Sequence, residues 1–256
     1  KAYVSGSSTE VTALAKNATP IWVDSGELDG QVDLTKGLAL DEYMQADLKS
    51  MRQTEAVYGV AVNASATHNS QTAAENIAVG QYAGVAATGN ANVILGSTEA
   101  YVDSATINKA AAGTPNARQQ VSIRAADHSN AAGFIGSVAG GAAGVGAGID
   151  VDVFKNQTKA YVVNSDDVKR TNVRSAGGTT IEAASTQGVS SLAVGASGGL
   201  VAVAGTAVVA VFESTTEAKV DNATVAAGSL DMDAYHASRL AVGAGTVVGG
   251  GDAYGG

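Results

Sequence analysis

From Ser191 to Val220 the chain reads SLAVGASGGLVAVAGTAVVAVFESTTEAKV, with Val and Leu alternating with Ala, Gly and Ser until a polar Ser/Thr segment interrupts. Alternation with a period of two puts successive side chains on opposite faces of an extended strand. Looser versions of this stretch run from Phe134 to Val162 and from Asn76 to Val102, and another begins at Arg239. Each complete copy closes on a short anchor: EAYV at Glu99, KAYV at Lys159 and EAKV at Glu217, with KAYV also at Lys1. In the second half the anchors recur about every 60 residues, which is the mark of a repeat architecture. The copies span about 76–133, 134–190 and 191–238, with a partial one at 239–256.

Each copy divides into about three pieces of about 20 residues, separated by Asn, Asp, Gly, Ser and Thr. That is the chain one coil of a parallel β-helix uses, so the expected fold is an all-β solenoid. About 11 coils rising by the inter-strand spacing would make a rod on the order of 50 Å long. The polar bridge Thr67 to Glu75 reads as a loop or outer turn, and the alternative fold is a long-stranded antiparallel β-sandwich that turns at the Ser/Thr segments. Either way the chain reads as a single body over residues 1–256.

The pattern breaks between residues 21 and 55, which hold the single Trp, two of the three Met and many acidic residues. Asp41 is placed to cap a helix over about 41–55, because its carboxylate can accept the free amides of a first turn. Leu40, Met44, Leu48 and Met51 then make one apolar stripe. This insertion either covers a sheet face or end, or carries a binding site. On the second reading Trp22, Asp41, Tyr43 and Met44 are the candidate partner-binding residues.

Composition narrows the function classes. The 256 residues include 32 Gly and 2 Pro, and aromatics make up 5%. Inward positions filled by Ala, Val and Gly imply layers that approach closely. With no cysteine, disulfides and thiolate chemistry are excluded. A net charge of −9 and the lack of any basic run argue against nucleic acid and against anionic lipid. The apolar stretch around Leu192 to Phe212 has the length of a membrane span, but its glycines and alternation mark it as strand, so no span is expected. The chain starts on a repeat anchor without a discernible leader, and is read as an excerpt of a longer protein.

Candidate chemistry is sparse. Asp150 and Asp152 in GIDVDV, and Asp231 and Asp233 in LDMDAY, each share one strand face. Read as outward carboxylates, they keep the surface soluble, hold calcium, or act as acid and base on a sugar. His68, His128 and His236 fall at related points of the copies and read as solvated turn residues. Glycine runs such as GGAAGVGAG lack the following helix that a dinucleotide loop requires. No catalytic residue and no cofactor is assigned.

The Gly/Ala/Val run, the small polar turn and the closing TEAYV or TKAYV resemble the repeat regions of large Gram-negative secreted proteins, namely leukotoxin-type and filamentous-haemagglutinin-type adhesins and autotransporter passengers. The resemblance covers nearly all of the chain outside 21–55. It implies an extracellular or cell-surface rod, non-enzymatic and linked to virulence, that displays contacts to a host-cell or bacterial surface component or to itself. The other readings are an extracellular polysaccharide-cleaving β-helix enzyme and a structural filament or sheath subunit.

Overall fold

A computed structural model of the protein describes residues 1–16, 19–28, 52–166 and 170–255. In chain order the strands are β1 (Ala2–Ser5), β2 (Glu10–Val11), β3 (Ile21–Leu28), β4 (Arg52–Val57), β5 (Gly59–Val79), β6 (Ala83–Asp103), β7 (Thr106–Ile107), β8 (Gln120–Gly140), β9 (Ala143–Val163), β10 (Asn172–Arg174), β11 (Gly178–Phe212), β12 (Thr215–Asp221), β13 (Thr224–Ala226) and β14 (Ser229–Gly255). The expected helix over 41–55 lies outside the described residues up to Met51, and its last residues, Arg52 to Glu55, are strand. Asp41, Tyr43 and Met44 are likewise outside. Among the described residues the one helical turn is a 3-10 turn at Ala110–Ala112.

The long strands pair in parallel and in register. β5 lies beside β8, β8 beside the first part of β11, and that part beside β14. On the other side β1 lies beside β6, β6 beside β9, and β9 beside both the rest of β11 and β12. β11 runs through both groups, so they form one sheet, and that sheet folds over until it is nearly closed. Its two halves face each other: Asn90 Nδ2 on β6 donates to Thr72 Oγ1 on β5 at 2.9 Å. The short strands make a second parallel sheet, ordered β13-β10-β7-β2, at the wide end of the body.

The step from one rung to the next overturns the expected 20-residue coil. Asn90 sits beside Asp150, 60 residues on, and Lys155 reaches Glu213, 58 residues on. One whole copy therefore supplies one rung of each ladder. The antiparallel sandwich is overturned too, since β3 and β4 are the antiparallel pair while both larger sheets are parallel. Its long strands are nonetheless present: β5, β6, β8 and β9 each run for 21 residues. The polar run Thr67 to Glu75 is part of β5 rather than a turn. The chain reverses instead within the glycine runs, where Gly141 (φ 152°) and Gly199 (φ 156°) adopt a backbone that side chains disfavour.

Alternation along these strands sorts the interior into layers. At the wide end Val62, Ile123 and Ile181 meet Val102, Val162 and Val173 in an apolar cluster, and Phe154, Ile94 and Val189 form a second one. Towards the glycine turns the inward residues shrink to Ala, Gly and Ser, and the facing halves close together: a Cβ on Gly144 would lie 2.7 Å from the Gly198 carbonyl. Outside the body, the β3–β4 hairpin lies across the outer face of β5, β8 and β11, burying Ser122, Arg124, Ala126 and His128 of β8.

Candidate ligand-binding face

The hairpin is fastened to the outer face by two charged contacts. Arg124, nearly buried, brings Nη2 within 2.6 Å of Glu55 Oε2 on β4 and 3.2 Å of Glu182 Oε2 on β11. On the other flank Asp24 of β3 gathers several partners. Its Oδ2 accepts hydrogen bonds from Ser65 Oγ (2.7 Å) and Arg52 Nη1 (3.0 Å), and its Oδ1 accepts one from the Gly26 amide (2.9 Å). Arg52 Nη1 also donates to Ser65 Oγ. Beneath them His128 is fully buried, its Nε2 3.6 Å from Asp24 Oδ1. Burial pushes the Asp24 carboxyl up, yet the contacts with His128, Ser65 and the Gly26 amide outweigh it and bring the pKa down to about 2. Ser65 donates to the carboxylate and not to the imidazole, so these residues form a clasp and not an activated serine.

A cavity opens on each flank of the hairpin. One, of about 460 Å³, is lined by Trp22, Arg52, Thr54, Asn63 and Ser65 among others. Trp22, one of the candidate partner-binding residues, stands 66% exposed at this cavity. The other, about 290 Å³, is lined by Glu27, Glu182, Thr186, Asp233, Tyr235 and Arg239 among others. Burial raises the Glu182 carboxyl; Arg124 opposes the rise, while Asp233, Glu55 and Asp231 add to it. Sequence reasoning missed Asp24, Arg52, Arg124 and Glu182, because their association depends on where a hairpin docks, which no spacing records.

The four aspartates separate. Asp231 and Asp233 face outward as expected, beside Thr180 and Glu182 of β11. Asp150 and Asp152 do share a face, but it is the inner one, and both are fully buried. Asn90 Nδ2 donates to Asp150 Oδ1, and Asn92 Nδ2 to Asp152 Oδ1, each at 2.8 Å. Ser191 Oγ donates to Asp152 Oδ2 at 2.9 Å. Burial raises the Asp152 carboxyl, and neighbouring Asp150 adds to the rise. A second inward polar layer holds Asp127, whose Oδ1 accepts from Ser129 Oγ (2.8 Å) and Asn156 Nδ2 (3.0 Å).

Among the described residues no three His, Asp or Glu side chains gather closely enough to share a metal ion. The histidines do not stack, since His128 pairs with Thr67 and Thr186, while His68 pairs with Ser129 and His236 with Ser185. All three lie within strands, so the turn reading fails, and His128 is not solvated at all. No described helix is long and apolar enough to cross a membrane. Compared with protein-family models, curated proteins and solved structures, the chain matches none.

Proposed function

We propose that the chain is a β-solenoid segment of a bacterial surface-exposed or secreted adhesin or toxin-type passenger, working by rigid display of a binding site. The observation that supports this most is the docked hairpin: it holds an exposed indole at the rim of a cavity lined by both polar and apolar side chains on a stiff parallel ladder. A flat aromatic face beside hydroxyl, amide and guanidinium groups suits a sugar ring, which presents apolar C–H faces and polar edges. The partner class is therefore a glycan of a host-cell or bacterial surface. Binding of the purified chain to a glycan array and to whole cells, with Trp22→Ala beside it, tests the reading. Binding that disappears in the folded variant supports it; equal binding by both proteins, or by neither, sinks it.

A polysaccharide-cleaving enzyme is the second reading. Glu182 and Asp233 sit on neighbouring rungs in the smaller cavity beside Tyr235, and Glu182 is held towards its protonated form. Such a pair can supply the acid and the base of glycosidic cleavage. Release of reducing ends from polysaccharide, abolished by Glu182→Gln, would favour it over display.

A further inference from the structure

On the half of the body away from the hairpin the usual alternation is inverted. Along β6, β9 and the second part of β11 the inward positions hold Asn90, Asn92, Asp150 and Asp152, while valines point to solvent. Six outward positions on each strand, at alternate residues from 83 to 93, 143 to 153 and 201 to 211, are filled by Ala, Gly, Val and Ile alone. Val85 is 65% exposed, Ile149 53% and Val209 45%. Charge returns only at the next row, where Lys155 pairs with Glu213 at 3.1 Å.

A parallel sheet is ordinarily covered on both faces, and a contiguous apolar patch on a monomer rarely exceeds a few hundred Å². Six alternate positions span about 40 Å and three strands side by side are about 14 Å wide, so this face covers roughly 600 Å² in projection. A stable interface takes about 800 Å² of accessible surface from each partner, and a ridged face carries more accessible surface than its projection. The face is therefore of the size that one side of a dimer needs.

Its relief fits a second copy of itself. Val93, Val153 and Val211 stand in register as a ridge, and Ala87, Ala147 and Gly205 as a trough. A two-fold axis along the stacking direction, passing between the rows of Ile149 and Val151, lays the ridge of each copy over the trough of the other. Sheets stacked face to face lie about 10 Å apart with their side chains interdigitated, and a two-fold contact buries the same patch on both partners. No charge within the face has to be paired or desolvated.

We propose that this face is the contact through which two copies of the chain pair back to back. The pairing does not rest on the glycan-display reading, because Trp22 and both cavities lie against the other half of the sheet and stay on the outer sides of the pair.

Sedimentation equilibrium of the purified chain at tens of micromolar tests it, and the native chain should run at twice its monomer mass. Ile149→Lys, which puts a charge at the centre of the face, should weaken dimerisation by about tenfold or more and leave the strand signal in circular dichroism intact. Val93→Lys, on the ridge of the edge strand, should do the same, so that a folding defect in one variant does not decide the matter. Gln71→Lys, on the outer side of β5, should remain dimeric. A monomeric native chain overturns the proposal, as does a dimer that survives both face variants or that Gln71→Lys also breaks. Flotation with phosphatidylcholine vesicles covers the other occupant: a chain that is monomeric in solution yet floats with them, and ceases to float as Ile149→Lys, would give the face to lipid instead of a second copy.

Discussion

Asp24 joins the hairpin to the sheet through Ser65 of β5 and His128 of β8, and its ionisation sets when that joint holds. The folded carboxyl has a pKa of about 2, below its ordinary value of 3.8. The stabilisation is therefore complete above the ordinary value and is lost as pH falls towards 2; it amounts to on the order of 2 kcal/mol. Trp22, the only tryptophan, sits two residues away in the same strand and reports the hairpin's environment. Asp24→Asn should lower the midpoint of denaturant-induced change in Trp22 fluorescence at pH 7. At pH 2.5 the native and variant curves should approach each other. Curves that differ as much at pH 2.5 as at pH 7 would mean that the carboxylate charge is not what holds the hairpin. Glu182 and Asp152 act oppositely: their raised values favour the fold at low pH and lose that contribution as pH rises through them.

At the scale of the strand, turn position is set by glycine backbone freedom and not by polarity. Gly141 combines φ 152° with a hypothetical Cβ only 2.5 Å from the Gly80 carbonyl, so Gly141→Ala should cost about 1–3 kcal/mol. Gly89 has open space around its Cβ direction, and Gly89→Ala should change stability by less than about 0.5 kcal/mol. Parallel chemical denaturation of the two variants checks the contrast; similar losses in both would remove the assigned turn. The same contrast explains what the sequence made legible. Period-two alternation was enough to place Asp150 and Asp152 on one face and to mark the strands. Which face points inward was not readable: Val151 and Val153 are partly exposed while the aspartates are buried, because Asn90 and Asn92 on the neighbouring rung and Ser191 on the facing half supply hydrogen bonds. The Ser/Thr segments mimicked turns for the same reason, since a polar residue inside a strand is tolerated wherever another rung or solvent satisfies it. The insertion was legible but its hairpin was not, as the two strands are short and Arg124, His128 and Glu182, which they pack against, lie far away in sequence.

For the whole molecule, the rung step of about 60 residues decides shape as well as register. Strands of 21 residues extend roughly 70 Å, whereas four stacked rungs rise only about 15 Å. An added copy therefore thickens the body by about 5 Å instead of lengthening a narrow rod. The side chains show the same periodicity along the stacking direction. Tyr3, Tyr101 and Tyr161 stack with ring centroids 5.2 and 4.8 Å apart, and Lys1 sits 3.0 Å from Glu99, which lies beside Lys159, itself beside Glu217. Alternating charge on successive rungs favours this register over slipped ones, because a slip puts unlike pairs out of reach. The chain has no native cysteine, so engineered pairs read the register directly. Ala87 and Ala147 are in-register neighbours on β6 and β9, at a separation that a disulfide spans. Ala87→Cys combined with Ala147→Cys should cross-link under mild oxidation without loss of strand content. A 20-residue coil would instead join position 87 to position 67, and a cross-link there in place of the 87–147 bond would overturn both the register and the flattened shape derived from it.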